Sequence, residues 1–561
     1  MKRRDFIGLA TVSAGALAFE NAPGFSITGA NEISADLVIA GAGLGGCAAA
    51  LSALRNGLKV VLTEETDWIG GQLTSQGVPP DEHQWIETHG STKTYRQLRT
   101  NIRNYYKQHY PLTADTIARP DFNPGNGLVS ALCCEARVAE TVLYNMLAPY
   151  IHSKKLVLLT DHTIAAADVT GDKVRSLKAV NNLTGKGIIL SAPYFIDATE
   201  LGDLLPITGT EYITGAESKN ETKELHAPET IDPKNQQAFT ICFAMDHIDG
   251  ANNVINKPAG YEKWRNFVPQ LTPPWPGKLL DFTYCNPQTL ANSTLAFDPT
   301  GKNTGDKMNL WNYRRILDKS NFKEGAFTSD VTLVNWPQND YLLGNLIDVS
   351  KEERQKHIDD AKQLSLSLFY WLQTEAPRID GGTGWPGLRL RGDVLGTKDG
   401  LAKAPYVRES RRIKAVFTIL EEHVGAQNRA LVVGKDKTGK ATNFYDTVGT
   451  GYYRIDLHPS DAGTNYIDIE SLPFQISLGA LLPQRMENLL PACKNIGTTH
   501  ITNGCYRLHP VEWSIGEAAG LLVAIALKKQ TIPRAIRENH QLLEEFQRVV
   551  SSFGIDMHWL L

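Results

Sequence analysis

The chain is poor in cysteine and does not pair what it has. Seven Cys are spread over 561 residues, with no C-x-x-C and no Cys/His group at zinc-ligand spacing. That excludes zinc-finger architectures, and the odd count argues against a disulfide scaffold. No metal site is expected. Adjacent Cys133 and Cys134 fit a buried pair of small residues better than a redox couple. Positive charge is not in excess either: 57 Lys and Arg stand against 61 Asp and Glu, a net charge of -4. Without a basic footprint, nucleic acid is not expected as a partner. The apolar run from Phe6 to Phe19 is too short for a stable membrane span. What remains is ordinary for a globular protein, with 42% hydrophobic and 21% charged residues.

That apolar run follows Arg3-Arg4, with Phe6 two residues later. Its form resembles a twin-arginine export signal over residues 1–30, which predicts a periplasmic or exported protein. A basic terminus beside a few apolar residues is the plainer alternative.

Residues 36–65 read DLVIAGAGLGGCAAALSALRNGLKVVLTEE. An apolar strand, Leu37 to Ala40, runs into Gly41-x-Gly43-x-x-Gly46. An Ala-rich helix follows to about Asn56, Gly57 ends it, and Lys59 to Thr63 forms a second strand. The three glycines differ in what they allow. Gly41 permits the tight turn, Gly43 lets a pyrophosphate approach closely, and Gly46 lets helix and strand pack together. The helix N-terminus offers unpaired N–H groups to phosphates. Glu64, 18 residues beyond Gly46, is placed to accept from ribose hydroxyls. No second fingerprint of this kind follows, so one dinucleotide site is expected.

Three further stretches extend the pattern. TDWIGGQLTSQGV places Gly70, Gly71 and Gln72 after the second strand. Residues 156–192 alternate apolar and polar around turns at Gly171 and Gly185, as a small β-meander does. They lead to YFIDATELGDLL, an apolar strand ending in Asp197-Ala198-Thr199. Near the C-terminus an apolar strand, Leu489 to Ala492, precedes THITNGCYRLHPVEWSIGEAAG. Ile515, Ala518, Ala519, Leu522 and Ala526 repeat there at helical spacing, and the helix is expected to begin between Glu512 and Gly516.

The stretches GAGLGG, WIGGQ, FIDATELGD, YVRESRRI and NGCYRLHPVEWSIGEAAG together resemble the FAD-dependent oxidoreductase family with a glutathione-reductase-like fold, more narrowly a bacterial subgroup with a twin-arginine signal. The likeness runs from about residue 36 to 527. It implies an α/β fold: a Rossmann-like FAD-binding domain with an inserted β-rich substrate or cap domain and added helices. It implies FAD held by Gly41, Gly43, Gly46, Glu64, Gly71, Gln72 and Gly516, with Gly70 and Asp197 in the same stretches. Gly516 would let the late helix approach the flavin. Glu200 and Cys493 stand where relatives usually have glycine.

On this reading the FAD domain occupies 31–205 and 431–530, a cap 206–350, a helical region 351–430, and a last helix 531–561. Trp264, Trp275, Trp311 and Trp336 form either an aromatic substrate wall or ordinary core. Residues 351–375 and the YVRESRRIKAVFTILEE stretch are both predicted helical, the latter from a stripe of Ile413, Val416, Phe417 and Leu420. Arg408, Arg411 and Arg412 around Glu409 suit an anionic ligand or an ion-pair network joining elements.

For catalysis the candidates are His500 and His509 as bases, Arg507 as an oxyanion or carboxylate partner, and Glu512 behind them. A structural histidine is the competing account of each. The expected activity is hydride transfer from a small organic molecule to flavin, with an electron acceptor completing the cycle. An electron carrier serving a partner protein, or a carbohydrate-active protein with an aromatic glycan site, are the alternatives.

Overall fold

Ten strands and six helices, taken in chain order, frame the fold. The computed structural model describes residues 31–301, 304–434 and 439–559. The export-signal expectation for 1–30 lies outside the described residues. Strand β1 (Leu37–Ala40) is buried along its whole length, as a strand covered on both faces must be. Helix α1 (Leu44–Arg55) follows, then β2 (Val60–Thr63). Helices α2 (Lys93–His109) and α3 (Ala136–His152) lead to β3 (Leu156–Leu159). The meander is β4 (His162–Thr170), β5 (Lys173–Asn181) and β6 (Gly187–Ser191), after which β7 (Tyr194–Asp197) returns to the main sheet. Beyond it come β8 (Phe243–His247), β9 (Val331–Val334), α4 (Lys351–Thr374) and β10 (Leu489–Pro491). Helices α5 (His500–Tyr506) and α6 (His509–Lys529) close the core.

The central sheet is five-stranded and parallel, in the order β10-β7-β1-β2-β3. Its glycine turn therefore opens at the carboxyl ends of the strands, where ligands of α/β sheets sit. Helices α1 and α6 cross in backbone contact. A Cβ at Gly516 would lie 2.0 Å from the Gly45 carbonyl oxygen, and one at Gly520 would lie 2.3 Å from that of Ala49. Small residues on both helices make this approach possible.

Four expectations need correction. Helix α6 starts at His509, earlier than the apolar repeat indicated, because Pro510 fits a first helical turn. Gly516 consequently lies two turns inside the helix, packed on α1, and is not at a tip that could meet the flavin. Secondly, the 406–422 stretch is not a helix: Arg412–Ile413 pairs with Tyr212–Ile213, and only Glu421–Val424 makes a helical turn. Tertiary ion pairs override the apolar stripe here, since Arg408 meets Asp340, Arg411 meets Asp203 and Asp348, and Arg412 meets Glu217 and Glu409. That is the network reading of these arginines.

Thirdly, position 350 is no domain boundary. Leu364, Leu368, Trp371 and Leu372 of α4 share one apolar cluster with Trp264, Trp311 and Trp336, and Leu388–Leu390 adds a strand to β8. The four tryptophans named above are at most 6% exposed and their indole N–H groups have no partner. They are core, so the aromatic-wall expectation falls. Lastly, the C-terminal segment holds two helices, Pro533–Glu538 and His540–Ser552, not one. All seven cysteines are buried and unpaired.

Candidate active site

The glycine turn is built by close backbone approach. Gly41 has φ +91°, and a Cβ there would stand 2.2 Å from the Ala198 carbonyl oxygen at the exit of β7. A Cβ on Gly46 would lie 2.0 Å from the Gly41 carbonyl oxygen, which ties the first turn of α1 to the loop. Gly70 donates its N–H to the Ala42 carbonyl at 2.7 Å with φ +109°, bringing the WIGGQ turn alongside. The Glu64 carboxylate accepts from the N–H of Ala42 at 3.0 Å and of Thr66 at 3.1 Å.

Between these parts runs a cleft of about 160 Å³, lined by Gly41, Gly43, Glu64, Gly71, Ser75 and Gln76 and flanked by His162, Thr163 and Ile164 of β4. The fit of a dinucleotide is supported by two observations. Only glycine lets the turn pack this closely beside the cleft: a Cβ on Gly41 would strike the Ala198 carbonyl oxygen, and one on Gly43 or Gly71 would meet Glu200 Oε1 at 3.0 or 2.6 Å. Gln76 is 1% exposed, lines the cleft, and among the described residues neither its Oε1 nor its Nε2 has a partner. Buried amides are normally satisfied, so this one is set for a ligand.

Other predicted residues hold the scaffold. Asp197 is fully buried and accepts from the N–H groups of Thr199 and Leu204, fixing the turn after β7. Gln72 donates to Glu512 and to the Arg507 carbonyl. Glu512 also accepts from the Gly45 N–H at 3.0 Å. It therefore sits at the N-terminus of α1, where a phosphate would bind, and not behind the histidines. Reading the sequence missed Gln76 and the Glu200–Lys494 ion pair beside the cradle. Gln76 belonged to a stretch already singled out, but nothing in its spacing marked it.

Burial raises three of these carboxyls. Glu64 is pushed up to about 8 and Asp197 to about 7; Glu512 reaches about 7 through burial and then the charge of Glu200. In the unfolded chain all three ionise near pH 4. Between that value and 7–8 the folded state holds the extra protons, so their stabilisation is full at low pH and lost as pH rises through 7–8. The thermal midpoint of the FAD-free protein should fall from about pH 5 to about pH 8 and level off above that, and Glu64→Gln should flatten that fall. Equal dependence in both proteins would refute the assignment.

His500 opens α5, whose first turn is capped by the Thr499 hydroxyl. Its backbone N–H donates to Glu217 at 2.9 Å, and Nδ1 lies 2.8 Å from Glu409 Oε1. That contact becomes an ion pair only when the ring carries a second proton, and it is out of line for a hydrogen bond. Gln237 at 2.8 Å and Arg412 at 3.3 Å fix Glu409 from the other side. Burial alone would raise the Glu409 carboxyl, yet His500 and Arg412 hold it below the usual carboxylate range. Among the described residues His500 Nε2 makes no hydrogen bond.

His509 is different. It is fully buried, its Nδ1 accepts from the Asp81 N–H at 3.1 Å, and Nε2 lies 3.2 Å from the Val78 carbonyl. Burial lowers its pKa to about 4, so it stays neutral as a clamp between α6 and the 78–81 segment. Arg507 donates to the Tyr406 hydroxyl at 2.9 Å and to the Asp456 carbonyl at 3.0 Å.

The model of a family described as FAD dependent oxidoreductase matches residues 36–550. No curated protein matches the chain. Among solved structures, the glycerol-3-phosphate dehydrogenase from Bacillus halodurans complexed with FAD aligns at 14% identity and TM-score 0.22, covering 38% of this chain and 40% of that one. L-proline dehydrogenase from P. horikoshii aligns at 15% and 0.17, covering 34% and 26%. A geranylgeranyl bacteriochlorophyll reductase-like protein from Thermoplasma acidophilum aligns at 10% and 0.32, covering 94% and 86%. The chain thus spans two fifths or less of the two dehydrogenases. With the family model running from β1 past α6, the chain belongs to the FAD-dependent oxidoreductase family.

Proposed function

We propose that the enzyme oxidises a small organic donor at FAD, with His500 receiving the proton that the donor's heteroatom loses. When bound, FAD supplies a two-electron acceptor for the hydride leaving carbon. The chain's own residues do the rest. Gly41, Gly43 and the N-terminus of α1 would hold the pyrophosphate, Glu64 the ribose, and Gln76 a polar edge of the cofactor or donor. His500 Nε2 would take the proton, and the Glu409 carboxylate would offset the imidazolium that results, as an acid behind a histidine base does.

The observation carrying this reading is the Glu409–His500 contact, placed two residues beyond Val407, which lines the cleft. Mixing the FAD-loaded enzyme anaerobically with alcohols, hydroxy acids and amines tests it. At least one donor should bleach the flavin while yielding one carbonyl or imine per flavin. If none does, and a reduced partner protein does instead, the chain is an electron carrier.

A further inference from the structure

A second polar cluster lies against the chain segment that lines the cleft. Ala404, Pro405 and Val407 line the cleft, while Tyr406 between them reaches Arg507. Arg507 also meets the Asp456 carboxylate at 3.3 Å. Arg314 pairs with Asp81 at 3.2 Å, and its guanidinium stands 5.2 Å from the Tyr313 ring centre. Both arginines are buried, whereas Tyr313, Tyr453 and Asp456 are half-buried and form the rim. Burial, followed by Asp81 and Asp456, holds the Tyr453 phenol well above its ordinary range.

As a purely structural network this cluster is incomplete. Among the described residues the Nε–H groups of Arg314 and Arg507 have no partner. Among the described residues the hydroxyls of Tyr313 and Tyr453 make no hydrogen bond. A single unmet Nε–H also occurs in the bracing pairs of Arg99 and Arg408; this cluster differs in gathering two of them beside two phenols, and each unmet buried group costs about 1–3 kcal/mol. Charge indicates what would complete it. Two guanidinium groups face two carboxylates, and the neighbouring Arg408, over the Tyr406 ring, is matched by Asp340 at 3.1 Å. His458 stands 3.7 Å from Asp456 on the outer side. An anionic ligand would set its charge beside Asp81 and Asp456, and a cationic one beside the arginines. An uncharged ligand with neighbouring hydroxyls meets donors and acceptors together, and tyrosine rings offer apolar faces to its C–H side.

We propose that this cluster binds an uncharged, hydroxyl-rich substrate, a sugar or glycoside, as the donor in the oxidation put forward above, on which the inference rests. One C–H gives its hydride to FAD, the attached hydroxyl gives its proton to His500, and a carbonyl is left.

The FAD-loaded enzyme is titrated anaerobically with methyl glycosides of glucose, galactose, mannose and xylose, and with the matching uronates. Binding is read by calorimetry and flavin reduction by absorbance. At least one neutral glycoside should bind, with its uronate at least about tenfold weaker. Asp456→Asn should weaken the glycoside and narrow that gap, and Tyr453→Phe should weaken both ligands while the flavin spectrum stays unchanged. Absence of glycoside binding, or uronates binding as well or better, overturns the proposal. Binding without bleaching instead sinks the oxidation reading and leaves this one standing. A non-sugar donor that bleaches the flavin while no glycoside binds does the reverse.

Discussion

Gly41→Ala should yield a protein that loses FAD and melts well below the wild type. The position has φ +91°, which costs an L-residue about 1–2 kcal/mol. The added Cβ would lie 2.2 Å from the Ala198 oxygen, 2.5 Å from its carbon and 2.7 Å from the Thr199 nitrogen. All three are backbone atoms of the turn after β7, so no side chain can swing aside. Overpacking of this kind adds about 1–3 kcal/mol, for a total of roughly 2–5 kcal/mol. The shift needed to relieve it would move the loop that faces the phosphates, so cofactor is lost along with stability. Gly57 supplies the control: its φ is +88°, but nothing stands within 4 Å of the added Cβ. Gly57→Ala should cost only the conformational strain and keep its flavin. Thermal melting and the flavin content of the purified variants decide it. A yellow Gly41→Ala protein with wild-type melting would remove the glycine turn from the cofactor site.

The contrast between these two glycines shows what a sequence discloses. Spacing located the turn, the meander and Glu64, because each is local: a strand of four apolar residues, a glycine where φ must be positive, an acid at a strand end. Helix α4 was legible for the same reason, with Ser350 accepting from Glu353 at its start. Long-range facts were not. Glu512 reads as a first-turn acid of α6, and only the crossing of two helices carries it to the Gly45 N–H. Gly516 reads as a point of close approach, correctly, but its neighbour is α1 and not a cofactor. The 406–422 stripe had helical spacing, and three arginines drawn to carboxylates on separate elements kept it extended. The four tryptophans could not be sorted into wall or core by residue type alone, since burial depends on what the chain brings to them.

The two candidate histidines part in the same way, and the second large effect follows from that. His500→Ala should slow single-turnover flavin reduction by about 10²–10⁴-fold with FAD still bound, the usual worth of a general base. Glu409→Gln should slow it less, because the base remains and only its anionic support is gone. The carboxylate lies 2.8 Å from the ring, where it would offset the charge the ring gains on taking the proton. A residue that merely braced α5 would change the melting point and leave the reduction rate in place. His509→Gln should behave in this bracing manner, because both ring nitrogens are already engaged by the 78–81 backbone and its neutral form persists down to about pH 4. An unchanged reduction rate in His500→Ala would place the proton acceptor elsewhere, and a rate loss confined to His509→Gln would exchange the two roles.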